Sequence, residues 1–224
     1  MDKAYEHDNA ILAARIVLDK DYVVIDTETT GLQTPEVCQL AMVPKDNKSF
    51  CTLVKPIAAI EASATAVHGI TNEMVADSSS IDAYWYGVIG ELRTTQVLIG
   101  YNVSYDIKAL SRSLELKGLV FRPPPQVLFD VMLCYAAFRG EISPAHGTFR
   151  WHKLSDALSH VGIEMDGDFH NALTDAYATL NLLSYMSGHL TSWEHALNAA
   201  DAALVGIDRD LYDQAVSKIT YRRV

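Results

Sequence analysis

The chain has 224 residues, 49% of them apolar and 21% charged, with a net charge of −10. That size and balance suit one sizeable α/β domain with a real core, and argue against a protein that coats nucleic acid through a broad basic surface. No apolar run nears the roughly 18 residues of a membrane span, and the acidic N-terminal stretch lacks the apolar block of a signal peptide, so a cytoplasmic protein without membrane contact is expected.

Apolar residues at helical spacing predict a helix over 5–19. The β-branched run YVVID, 22–26, is a strand ended by TTG. VCQLAMV (37–43) and SFCTLVK (49–55) read as two more strands joined by a turn at 45–47, giving an antiparallel meander. A long connection covers 56–80, with Thr71 placed to cap a short helix and Ser80 to cap one over 81–93. QVLIGYN (96–102) is a strand, 104–116 a helix stopped by Gly118, and Pro123, Pro124 and Pro125 a rigid loop. QVLFDVML runs from strand into helix, with Asp130 as the cap. After a loop over 139–152 come helices at 153–161 and 171–187, the second capped by Asn171. The tail, 190–224, has the pattern of one or two further helices with a basic end. Cys38, Cys51 and Cys134 are odd in number and set in apolar contexts, which predicts reduced core residues.

Asp26 and Glu28 stand out. They are two residues apart on a strand, so both side chains point to the same face. Like charges held that close raise each other's pKa unless a cation lies between them. Mg²⁺ and Mn²⁺ prefer carboxylate oxygens and water, so a divalent metal resolves the conflict. Two further segments carry an acid in similar surroundings. GYNVSYDIKAL puts Asp106 in the first turn of a helix, and HNALTDAYATL puts His170 before a helix and Asp175 inside it among small apolar residues. Taken singly, each acid also suits a helix end or a solvated surface.

In this order, DTETTGL (26–32), YNVSYD (101–106) and HNALTDA (170–176) resemble the three motifs of the DEDDh 3′–5′ exonucleases, and SATAVHGIT resembles a loop of the same family. That superfamily includes the proofreading subunit of bacterial DNA polymerase III, exonuclease X and RNase T, with exonuclease X the nearest by chain length. The resemblance spans roughly residues 21–187. It divides the chain into an N-terminal helical extension (1–20), an exonuclease domain (21–189) and a C-terminal helical extension (190–224). It implies an α/β, ribonuclease H-like fold: a mixed five-stranded sheet, antiparallel meander plus parallel strands, flanked by helices.

The resemblance also implies a site. Asp26, Glu28 and Asp175 would hold one divalent metal directly, Asp26 would bridge to a second, and Asp106 would act directly or through water. Mg²⁺ is the expected ion, with Mn²⁺ as a substitute. His170 is the general-base candidate, delivered by a loop that Gly167 makes mobile. Thr27 and Thr29 are candidates to offer hydroxyls or backbone N–H groups to the terminal nucleotide, and Leu32 to wedge under its base. Asn102 is read either as a phosphate contact or as a helix cap, and His68 either as a phosphate contact or as a loop residue with its own hydrogen bonds.

The expected activity is removal of nucleoside 5′-monophosphates from a free DNA 3′ end. An exoribonuclease on the same scaffold, like RNase T or oligoribonuclease, is the alternative, since the contact that tests a ribose 2′-OH is not legible. A noncatalytic nucleic-acid adaptor is the third reading, and it fits poorly with an intact set of acids. A homodimer or a complex with a polymerase or repair protein stays open.

Overall fold

Tyr22–Thr29 is rich in β-branched residues, which sit well on a pleated surface. In the computed structural model, which describes residues 3–46, 48–121, 127–164 and 170–188, this segment is β1. It lies at the centre of a five-stranded sheet ordered β3-β2-β1-β4-β5. β2 (Val37–Pro44) pairs antiparallel with β1, and β3 (Phe50–Leu53) antiparallel with β2. β4 (Val97–Gly100) runs parallel to β1, and β5 (Val127–Asp130) parallel to β4. This is the mixed sheet that the motif resemblance implies. The C-terminal ends of β1, β4 and β5 share one edge, at the kind of switch point where open α/β sheets bind ligands.

Alternation along β1 sorts its residues between two cores. Val23 and Ile25 pack with Val103, Ala109 and Leu110 of α5 (Val103–Glu115) and with Val88 and Leu92 of α4 (Ile81–Thr94). Val24 faces the other way, into a core shared by α1 (Lys3–Asp19), α6 (Val131–Arg139), α7 (Leu154–Val161) and α8 (Ala172–Ser187). β2 is buried along its whole length, which explains its nearly unbroken apolar run. α1 packs through the small residues Ala10, Ala13 and Ala14, and Cys134 of α6 donates its thiol to the Ala10 carbonyl at 3.4 Å.

Several boundaries move. β1 continues to Thr29 because β2 pairs alongside it that far, with a register shift at Glu28/Thr29. The connection 56–80 holds α2 (Ala62–His68) as well as α3 (Asn72–Val75). α2 buries none of its residues, so it carries no apolar stripe to betray it. Thr71 caps α3 by accepting the Met74 N–H, and Asp130 caps α6 by accepting the Met132 N–H. Ser80 precedes α4, but its hydroxyl donates to Asp82 instead. Cys38 and Cys134 are buried as expected, whereas Cys51 is exposed, because β3 is an edge strand open on its outer side. The proline run, Gly167 and the tail 190–224 lie outside the described residues.

Gly100, the last residue of β4, permits the close entry of α5. A Cβ there would lie 3.0 Å from the Val103 Cβ and 3.2 Å from the Ile25 carbonyl oxygen. Gly100→Val is expected to push α5 off the sheet and to destabilise the protein by about 1–3 kcal/mol in urea unfolding. An unchanged midpoint would mean that this contact relaxes freely.

Candidate active site

The alternation that turns Val24 toward α8 turns Asp26 and Glu28 the same way. Asp175 lies in the first turn of α8. Asp26, Glu28 and Asp175 each offer a carboxylate oxygen, and these atoms lie within 4.8 Å of one another. Two devices hold α8 in place. Asn171 caps it by accepting the N–H groups of Leu173 and Thr174. Gln39, which faces Glu28 across the β1–β2 pair, is buried and accepts the Ala172 N–H at 2.9 Å. Sequence reading missed Gln39. Its one signal is that it is the polar residue in the run VCQLAMV.

Asp106 is not part of this trio. It enters from α5, on the opposite face, and is buried. β1 pairs with β4 only through Val24, so the backbone farther along lacks a partner on that side. Asp106 takes up that role: the Thr27 hydroxyl donates to its Oδ1 at 2.7 Å, and the Thr27 backbone N–H donates as well. Both Thr27 donors are therefore engaged by Asp106. Thr29 is similarly engaged. Its hydroxyl pairs with that of Tyr105 at 2.9 Å, and Tyr105 donates to the Gly31 carbonyl at 3.0 Å. Tyr105 thus fixes the turn that presents Leu32, which is 79% exposed. Its role was not visible in the sequence.

His68 also spends its ring on the protein. Nδ1 accepts the Ile70 N–H at 3.1 Å, which makes Nε2–H the donor to the Thr29 carbonyl at 3.1 Å. Both ring nitrogens are thus engaged within the protein. Asn102 stands at the start of α5 without a side-chain cap bond. Its N–H donates to Asp130, and its Oδ1 accepts the Ser104 hydroxyl at 3.2 Å. Asn102 and His170 have φ of 65° and 69° and are the two non-glycine residues with positive φ among those described. Such strain concentrates at functional sites. His170 is exposed, and its backbone N–H donates to Asp175.

The carboxyls pay for their placement in desolvation. Burial pushes Asp26 far above the usual carboxylate range, and the charges of Asp106, Asp175 and Glu28 add to it. Burial, then Asp175 and Asp106, pushes Glu28 up to about 8. Asp106 is pushed up to about 7 by burial, against the pull of the Thr27 hydrogen bonds. Burial raises Asp175, while the nearby His170 opposes the rise. Asp175 Oδ1 is buried without a hydrogen-bond partner. Clustered hard oxygens with one orphaned acceptor fit a divalent cation, which would relieve repulsion and satisfy that oxygen together.

Strand-end carboxylates on a ribonuclease H-like sheet suit metal-assisted chemistry at a phosphodiester. Solved structures agree on the fold: exonuclease X in complex with 5′ overhanging duplex DNA aligns with a TM-score of 0.55 and 23% identity, over 77% of this chain and 95% of that one. A family model described as Exonuclease (RNase T type) matches residues 23–183. An uncharacterized exonuclease, CP81, of Escherichia phage 186 is 35% identical over 76% of this chain and 90% of its own length. A DNA polymerase III subunit epsilon-like protein of Rhodobacter capsulatus is 38% identical over 74% of this chain, which spans only 24% of that protein. The chain belongs to this exonuclease family. Members use divalent metal ions, and the three clustered acids are compatible with that use. Among the described residues, no helix is long and apolar enough to cross a membrane.

The raised carboxyls make stability depend on pH in a definite direction. A native pKa above that of the unfolded chain means that the folded state holds protons the unfolded state has released. Metal-free protein is therefore expected to lose stability as pH rises from about 4 to about 8, the value for Glu28. Mg²⁺ or Mn²⁺ should raise Tm, and more so across that same window, because binding needs the ionised acids. Asp175→Asn should remove the metal effect. A melting series in EDTA and in metal that showed no pH trend and no metal shift would sink the assignment.

Proposed function

We propose that the chain is a metal-dependent 3′–5′ exodeoxyribonuclease that releases nucleoside 5′-monophosphates. The observation that carries this reading is the convergence of Asp26, Glu28 and Asp175 within 4.8 Å at the open end of the sheet. The DNA preference draws on the complex in which exonuclease X holds duplex DNA and on the name of the epsilon-like relative. The catalytic unit is read as residues 21–189.

Asp26, Glu28 and Asp175 would hold one Mg²⁺, with Mn²⁺ able to replace it, and Asp26 would share a second with Asp106 acting directly or through water. Two such ions supply an acidified water nucleophile and charge stabilisation for the departing 3′ oxygen. The remaining steps belong to the chain's own groups. His170, exposed at the mouth and adjacent to Asp175, takes the proton of the attacking water. The water oxygen bonds to phosphorus, the P–O3′ bond breaks with its electron pair on the 3′ oxygen, and that oxygen takes a proton from solvent to become the hydroxyl of the shortened strand. Leu32, exposed on the turn braced by Tyr105, would meet the terminal base, and Asn102, which makes no side-chain cap bond at the start of α5, would contact a phosphate. Thr29 contributes the edge of that turn rather than a free hydroxyl. A free end is required because only an end can enter a pocket at a sheet edge.

The test is a ladder experiment with matched 5′-labelled DNA and RNA oligomers in Mg²⁺, Mn²⁺ or EDTA. Metal-dependent shortening from the 3′ end, faster on DNA, is the expected result. Asp26→Asn should abolish it, and His170→Ala should lower kcat by roughly a hundredfold or more. Faster shortening of RNA would overturn the DNA assignment, and metal-independent cleavage would overturn the mechanism.

A further inference from the structure

The segment Arg150–Lys153 lies beside the site but is not part of it. Its position follows from Tyr101, the residue after β4. Val97 and Ile99 face the α8 side of the sheet, so alternation sends Tyr101 to the same side, and Tyr101 packs against that core. This is the face that carries Asp26 and Glu28, one strand over, about 4.8 Å in strand spacing. The Tyr101 hydroxyl donates to the His152 carbonyl at 2.7 Å. The 150–153 segment is thus tethered within one tyrosine's reach of the strand ends that carry the acids.

Its side chains divide by function. Arg150 pairs with Glu141 at 2.7 Å, and His152 Nε2 lies 3.6 Å from the same carboxylate. The backbone between them is irregular, and Lys153 is extended at φ −67° and ψ 152°. Arg150 and His152 are the residues of this segment that meet Glu141; among the described residues Trp151 and Lys153 form no ion pair with it. Trp151 is 63% exposed, and Lys153 is exposed with no ion pair among the described residues. An exposed indole and an exposed cation thus stand two residues apart in the chain.

We propose that Trp151 and Lys153 form a docking strip for the single-stranded segment just upstream of the 3′-terminal nucleotide. The indole stacks on an unpaired base, and the ammonium faces the backbone phosphate. A single strand is the partner because only unpaired bases expose a face to an aromatic ring, and stacking beside a cation grips a strand without reading its sequence. The strongly acidic net charge makes a local grip necessary, since the surface as a whole repels phosphates. The proposal rests on the exonuclease reading for the polarity of the strand.

The test measures binding on the full-length Asp26→Asn protein with Mg²⁺ present, by fluorescence anisotropy of a 5′-labelled single-stranded oligomer. Adding Trp151→Ala should weaken binding about fivefold or more. Adding Lys153→Ala should lower the slope of log affinity against log salt by about 0.7. Tyr86→Ala, which removes an aromatic 88% exposed on α4, is the control and should change neither. Unchanged binding in both strip variants would overturn the proposal, as would equal weakening by Tyr86→Ala or failure of the parent protein to bind any oligomer. The two readings fail separately. If the oligomer binds through the strip, yet the unsubstituted protein shortens no strand in metal, the nuclease reading fails and the strip stands.

Discussion

Three carboxylates pressed together at the end of β1 repel one another, and much of the surrounding structure exists to hold them there. Asp26 and Glu28 are placed by strand alternation, which leaves them no freedom to separate. Asp175 arrives on a helix whose first turn is fastened to the sheet by Gln39 and closed by Asn171. Burial adds to the repulsion by removing water that would screen it. The arrangement stores unfavourable electrostatics, and a cluster of hard oxygens with such repulsion is compatible with a divalent cation.

The sheet topology makes that gathering possible. β1 reaches past the end of its pairing with β4, so its last residues project beyond the parallel half of the sheet. On one face that overhang presents Asp26 and Glu28 to α8. On the other it presents Thr27 to Asp106, which substitutes for the missing strand. Gly100 keeps α5 close enough for this contact. The same overhang ends in the turn braced by Tyr105 and His68, from which Leu32 emerges. The acid cluster, the acid on the second face and the exposed Leu32 are three consequences of one strand that outlasts its neighbour.

Legibility followed the range over which each interaction acts. β1, the meander, α5, α6, α7 and α8 were visible because their apolar periodicity is local. The caps at Thr71, Asp130 and Asn171 were visible for the same reason. α2 was hidden because it buries nothing, and Cys51 was misplaced because an apolar neighbourhood in sequence does not say which strand forms the sheet edge. Gln39 was read as part of an apolar strand. Its partner, Ala172, lies 133 residues away, and no local pattern announces such a contact.

Which acids are available, their order, and the shared face of Asp26 and Glu28 are written in local stretches of chain, because strand alternation is a property of a few consecutive residues. Three short motifs likewise carry the family. That Asp175 joins that pair, while Asp106 is held by Thr27 on the α5 side, follows from packing between distant segments. So does the internal use of the His68 and Thr27 donors, and the open stance of Trp151 and Lys153 beside the site. Those outcomes depend on how helices dock against a sheet, and docking is a sum of distant packing contacts that no single stretch of chain encodes.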